Sequence, residues 1–201
     1  MDARDAILYS TCPLLPAPTL APFEPLGAPG KRLIAARDGM YLEARTHALH
    51  CLQRVAEFPT PYGPVSPFLR LLAGPVPVAM IREIARQSLS ASPSEIAFII
   101  HLEDGQYALH APQPISASAG HVTYNDDRDP DGLVLDIHSH GAGRAFFSVT
   151  DDQSDLSRKG PYIAGVIAPR HEPAKTRMTF RLVCPPYLID LDAESLKDVI
   201  A

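Results

Sequence analysis

LVLDIHSHGAGRAFFSVTDDQSDLSRKGPYIAGVIA, residues 133–168, is the stretch whose reading decides the fold. It opens with an apolar run, LVLDIHSH (133–140), and closes with another, YIAGVIA (162–168), both dense in the branched residues that suit pleated backbone. Between them SVTDDQSDLSRKGP reads as a short helix. Acidic residues fill its first turn, Arg158 and Lys159 its last, Gly160 is the stop and Pro161 lies beyond it.

Working upstream, EIAFIIH (95–101), QYALHA (106–111) and a longer polar-alternating run, ISASAGHVTYN (115–125), read as strands, and downstream TRMTFRLV (176–183) adds another. VPVAMIREIARQSLSAS (76–92) puts Val78, Ile81, Ile84, Ala85 and Leu89 on one helical face, and Pro93 closes it. The tail, DAESLKDVIA, reads as a final helix. The expectation is an α+β domain with a β-sheet core.

Residues 1–30 differ in kind. PLLPAPTLAPFEPLGAPG blocks helix interiors and sheet ladders, so an extended arm is expected there. RLIAARDGMYLEAR then suggests two strands around a turn at Asp38-Gly39, and the stretch to Phe58 stays ambiguous. A second proline cluster, FPTPYGPVSPF (58–68), sets a boundary near residues 70–75. We therefore expect an N-terminal extension with a small β unit over residues 1–74 and the main domain over 75–201.

Eighteen Lys and Arg against 23 Asp and Glu give a net charge of −5, with no basic run to neutralise phosphates, so neither nucleic acid nor a membrane surface is expected as a partner. The 3 cysteines, Cys12, Cys51 and Cys184, are far apart and form no C-x-x-C pair, which points to a reducing cytoplasm. No signal-peptide pattern opens the chain, and no apolar run approaches the roughly 18–20 residues that span a bilayer.

His138 and His140 lie two apart at a strand end, and because side chains alternate along a strand they point the same way. Asp151 follows in the first turn of the expected helix, after a loop long enough to fold that turn back. Two histidines and a carboxylate leave a fourth tetrahedral position open, which is how catalytic zinc sites differ from closed structural ones. A proton carrier is then needed, and Glu95, at the start of an apolar strand, is the candidate; Glu83 and Glu103 are rivals on sequence alone. Ser148 is placed to hydrogen-bond a developing oxyanion.

The string His138-Ser139-His140, seven residues, Ser148, two residues, Asp151 resembles the H-x-H-x7-S-x2-D signature of the JAB/MPN (JAMM) metallopeptidases, and Ser94 to Ile100 behind a helix resembles that family's glutamate segment. The resemblance covers about residues 75–185. It implies a curved mixed β-sheet flanked by helices, zinc (Zn2+) on His138, His140 and Asp151, Glu95 as acid/base, Ser148 steadying the intermediate, and hydrolysis of a peptide or isopeptide bond after the C-terminus of a ubiquitin-like protein. Gly141 departs from the pattern, since many members have proline there. HSHG with AFFS and a run of aspartates most resembles the branch found in the bacterial PRTRC cassette, which implies ubiquitin-like, E1-like (ThiF) and ParB-related neighbours. Some MPN-type domains are non-catalytic scaffolds, which usually lack these ligands.

Plainer readings stand beside these. Ser148-x-x-Asp151 approximates a helix capping box. Asp152 and Asp155 read as solvated helix-start charges, and Asp136, on the same strand face as His138, either orients that histidine through its second nitrogen or is an ordinary strand residue. Asp127 to Gly132 imitates the start of a calcium loop but lacks its closing Glu, and His47, His50 and Cys51 complete no site.

Overall fold

The computed structural model describes residues 2–117, 122–141, 143–172 and 175–201. It divides into two compact units, Met1–Leu72 and Ala73–Ala201.

The first unit is a helix, α1 (Ala3–Thr11), and five strands: β1 (Leu14–Pro16), β2 (Gly30–Ala36), β3 (Gly39–Arg45), β4 (Leu49–Glu57) and β5 (Phe68–Leu71). They lie in chain order in one sheet, with β1 parallel to β2 and the remaining pairs antiparallel. The expected extended arm is corrected in part. Residues 3–11 carry no proline and form a helix capped by the Asp2 carboxylate, and Leu14–Pro16 joins the sheet as an edge strand, where proline is tolerated. The hairpin turn also shifts: Arg37 and Asp38 form it, while Gly39 pairs with Ala36. Glycine is required there because a Cβ would stand 2.0 Å from the Ala56 carbonyl oxygen of β4.

Glu43 on β3 is fully buried and holds this unit together. Its carboxylate accepts hydrogen bonds from Arg32 Nε (2.6 Å), His50 Nε2 (2.9 Å) and the Leu26 amide (2.6 Å). His50 is thus a structural partner, and its exposed neighbour His47 joins no metal group among the described residues. Glu43→Ala leaves the half-buried Arg32 and the buried His50 without their shared acceptor and is expected to cost about 1–3 kcal/mol, measured by urea unfolding of the full chain; a loss under about 0.5 kcal/mol would contradict this account.

The second unit contains the helices α2 (Val78–Ala91) and α3 (Val149–Ser157) and the strands β6 (Ala97–Glu103), β7 (Gln106–His110), β8 (Pro114–Ala117), β9 (Val122–Tyr124), β10 (Leu133–Ser139), β11 (Tyr162–Ala168), β12 (Arg177–Cys184) and β13 (Tyr187–Leu191). Six strands form a mixed sheet in the order β13-β12-β11-β10-β6-β7, with β10 and β11 parallel and the other pairs antiparallel. The unit is α+β, as its alternation of patterns predicts. The run at 115–125 is not one strand: β8 and β9 pair antiparallel with each other, and residues 118–121 lie outside the described residues.

On one sheet face Phe98, Ile100, Leu135, Ile137, Ile163, Ile167 and Leu182 are wholly buried. On the other, Ile99, Leu133, Tyr162, Ala164 and Val183 form a core cluster with Phe147 packed against it. In α2 the stripe is narrower than the periodicity predicts, since Ile81, Ile84 and Ser88 are buried while Val78 is exposed. The tail forms turns instead of a helix. Its last residues are drawn into a parallel bridge to Val76, where Val76 N donates to Val199 O and Ala201 N to Val76 O, and these bonds win over the weak local preference. No helix among the described residues is long and apolar enough to cross a membrane.

Candidate metal centre

Parallel neighbours cannot be joined by a hairpin, so the chain between β10 and β11 must cross over, and α3 is that crossover. Its N-terminus therefore falls at the end of β10 where His138 and His140 stand. His138 occupies the strand, paired with Ala97 and Val166, whose small and branched side chains leave room beside it. His140 lies just past the strand, but its amide still donates to Ile167 O (2.9 Å), so the alternation of faces persists.

The two Nε2 atoms are 3.2 Å apart. His140 Nδ1 lies 2.8 Å from the Arg144 carbonyl oxygen, which accepts only from a protonated nitrogen, so His140 Nε2 presents a lone pair. The loop that supplies this carbonyl turns at Gly141, whose φ of +46° is closed to proline, and a Cβ there would meet Pro93 O at 2.3 Å. The departure from the family pattern at Gly141 thus follows from the path of the loop. Phe146 stands edge-on to the His140 ring, centroids 4.9 Å apart.

Ser148 caps α3 and Asp151 is its third residue, in a complete capping box. Asp151 Oδ2 accepts from the Ser148 amide (2.6 Å) and from Ser148 Oγ (2.7 Å), while Oδ1 stands 3.2 Å from His138 Nε2. One oxygen, Oδ2, is held by the cap and stands 4.0 Å from His140 Nε2, and the other faces His138. The plainer reading of Ser148 and Asp151 is therefore present in the structure, and it also aims the carboxylate.

His138, His140 and Asp151 form the one cluster of three His, Cys, Asp or Glu side chains among the described residues whose ligand atoms lie within 4.8 Å of one another. Burial alone would lower the pKa of His138, but the Asp151 hydrogen bond and the charges of Asp151, Asp136 and Glu95 outweigh it and raise it. Burial and then the charge of His138 lower that of His140. Asp151, despite burial, is held well below the usual carboxylate range by His138 and Ser148. Two imidazole nitrogens and a carboxylate converging in this way can hold a cation between them. Two nitrogens tetrahedrally bound to one zinc stand about 3.3 Å apart, close to the separation seen, so the donor set fits zinc.

The three line a cleft of about 480 Å³ together with Glu95. Glu95 precedes β6 by two residues instead of opening it and is 7% exposed. Its segment is laced to the end of β10, with Ser139 N donating to Ile96 O (2.9 Å) and Ile96 N to Ser139 Oγ (3.1 Å), which brings it beside His138. The rivals lie outside the cleft lining. Glu83 is bound by Arg86 and Gln87 on its own helix, bonds that lower its pKa to about 2, and Glu103 pairs with His110 (2.7 Å).

Asp155 departs from its sequence reading and Asp152 does so in part, while Asp136 keeps the plainer of its two, a hydrogen-bonded strand residue. Asp136 shares the His138 face, but its oxygens accept from Tyr124 OH and Arg158 Nη1. Asp155 is buried, not solvated: Arg181 on β12 donates to it from Nε (2.9 Å) and Nη2 (2.7 Å) and to Asp152 from Nη1, with its guanidinium 3.8 Å from the centre of the Phe147 ring. Arg181 sits between Phe180 and Leu182 in an apolar strand, and a charge in such a run was the available signal. The helix ends at Ser157, so Arg158 caps it and turns to Asp136 and the Tyr124 ring instead of serving the last turn.

A mixed-sheet α+β unit with a His, His, Asp cluster at the end of a parallel strand pair defines the class. Residues 77–183 match the family described as prokaryotic homologs of the JAB domain, and the chain belongs to it. Residues 2–72 match a family described as a domain of unknown function (DUF2016). No curated protein matches the chain. Among solved structures, protein DSY2949 from Desulfitobacterium hafniense is similar at 15% identity over 61% of this chain and 88% of that one, with a TM-score of 0.43.

Ser148→Ala removes both the cap and the second hold on Asp151 Oδ2. We expect a stability loss of about 0.5–2 kcal/mol and roughly 10- to 100-fold weaker zinc binding, read by chelator competition; zinc affinity equal to the wild type would show that the cap does not aim the ligand.

Proposed function

We propose that the second unit is a zinc-dependent hydrolase of peptide or isopeptide bonds, with His138, His140 and Asp151 holding the metal. The observation that carries this reading is the convergence of that cluster with buried Glu95 in one cleft. A scaffold needs neither a cation site nor a buried carboxylate beside it. Zinc at such a site lowers the pKa of water to about 7 and polarises a carbonyl.

The side chains then divide the remaining work. Glu95 takes a proton from the attacking water and returns it to the leaving nitrogen; its burial keeps that proton from bulk solvent. Ser148 Oγ donates to Asp151 Oδ2 in the resting site and turns that hydrogen toward the substrate oxygen as negative charge develops there. His140 is kept in the required tautomer by the Arg144 carbonyl, and the His138 ring is fixed in its strand.

The sequence signature further supports a substrate ending in the C-terminal tail of a ubiquitin-like protein, as a precursor or a conjugate, in a bacterial setting such as the PRTRC cassette with an E1-like (ThiF) protein nearby. The alternative is a non-catalytic MPN-type interaction module of such a cassette.

The test pairs metal content with cleavage of a ubiquitin-like protein fused through its C-terminus to a reporter amine. Glu95→Gln is expected to keep one zinc per chain and lose about 10²- to 10⁴-fold in rate, while His138→Ala/His140→Ala loses both metal and rate. Full activity in Glu95→Gln would overturn the assignment of the proton carrier, and wild type that binds no zinc would return the unit to the scaffold reading.

A further inference from the structure

Resting on the zinc reading of the site, we infer that Arg170 is a positioning residue for the metal: from the connection after β11, its guanidinium holds the loop whose carbonyl fixes the His140 ring. Arg170 Nη2 donates to the Gly143 carbonyl oxygen (2.7 Å), and Nη1 to the carbonyl oxygen of its own neighbour Pro169 (2.7 Å). The Gly143 amide in turn donates to His140 O (2.6 Å), so Gly143 is held through both its amide and its carbonyl. The next residue, Arg144, supplies the carbonyl oxygen that accepts from His140 Nδ1 at 2.8 Å.

One segment therefore steadies His140 twice. Its amide donates to Ile167 O in β11, and its ring is held from Arg170, three residues farther along, by way of Gly143 and Arg144. The first bond places the backbone of residue 140. Only the second governs the ring: Nε2 presents its lone pair to the metal position while Nδ1–H keeps its acceptor, and a carbonyl free to drift would release both the tautomer and the ring angle.

The residue types at both ends of this contact fit the role. At Gly143 a Cβ would stand 2.9 Å from His140 O, so the turn closes this tightly only without a side chain. At Arg170 the planar guanidinium reaches two carbonyls, of Pro169 and Gly143, with two nitrogens in fixed relation, whereas a lysine ammonium is a point charge on a flexible stem and fixes no such relation. The stem of the arginine is anchored as well. Its backbone amide donates to Thr176 Oγ1 (3.1 Å), which closes the connection between β11 and β12 on itself. The guanidinium thus ties a braced connection of the sheet to the loop that follows the second histidine.

The experiment compares the full chain with Arg170→Met, which keeps an apolar stem and removes the donors, and with Arg170→Lys. Zinc affinity is read by chelator competition, solvent exchange of the His140 Nδ1 proton by nitrogen-edited NMR on the metal-free chain, and folding by the urea midpoint. Arg170→Met is expected to bind zinc about 10-fold more weakly, the low end for groups standing behind a metal ligand. Its ring proton is expected to exchange about 10-fold faster, as the loss of roughly one net hydrogen bond implies, at an unchanged urea midpoint. Arg170→Lys is expected to recover part of both effects, and it carries the test should Arg170→Met fail to fold. Zinc affinity within about twofold of the wild type would overturn the role of Arg170, and so would weaker binding with a ring proton that exchanges as slowly as before. A wild type that takes up no zinc sinks the zinc reading by itself; the ring proton then still decides, by its faster or unchanged exchange, whether Arg170 holds His140.

Discussion

The parallel pairing of β10 with β11 is the constraint on which the site depends. An antiparallel neighbour would allow a tight turn after His140; a parallel one forces the chain to travel back, and α3 makes that journey. A helix used in this way must begin where the first strand ends. The histidines come from the strand end, the carboxylate from the helix start, and the loop between them supplies the carbonyl that sets one histidine's tautomer. The backbone amides at that helix start also favour negative charge, so Asp151 sits where the fold already prefers an anion.

What keeps α3 in place is a second layer of charge. Arg181, 4% exposed, joins two acids of the helix to the sheet beneath a phenylalanine ring. Burial raises the pKa of Asp155, and the Arg181 pairing works against that rise. A lone buried arginine or aspartate would be strongly unfavourable, so each is tolerable only through the other. The same logic joins Asp136, Arg158 and Tyr124 on the neighbouring part of the cleft, where burial and the Asp136 charge push the tyrosine pKa up. The cleft thus rests on a wall of paired charges that belongs to the scaffold as much as to the site.

The parts legible in the sequence are those that local pattern encodes. The strand of LVLDIHSH, the amphipathic α2 and the i, i+2 placement of His138 and His140 follow from periodicity, and the capping box follows from Ser148 and Asp151 at fixed spacing. The illegible parts required knowledge of partners distant in sequence. Asp152 and Asp155 read as solvated because a helix start favours acids whatever lies opposite; only β12 reveals Arg181. The tail reads as helical because Glu194, Leu196 and Lys197 suit one, yet its end is claimed by Val76 across the fold. Proline density led residues 1–30 to be read as an extended arm, but it said nothing of the proline-free segment 3–11 and did not keep Leu14–Pro16 from an edge position in the sheet.

Gly141 shows how such a departure is to be read. Proline after the second histidine would stiffen a loop with φ near −65°, whereas here the chain turns the other way at +46° and passes against the Pro93 carbonyl. The substitution changes the route by which the loop reaches Arg144, not the atoms that face the metal position. The same three side chains are therefore brought together along a backbone path that proline could not follow. The His, His, Asp cluster is fixed by the crossover that creates it, whatever path the loop takes between its histidine-bearing and carboxylate-bearing ends.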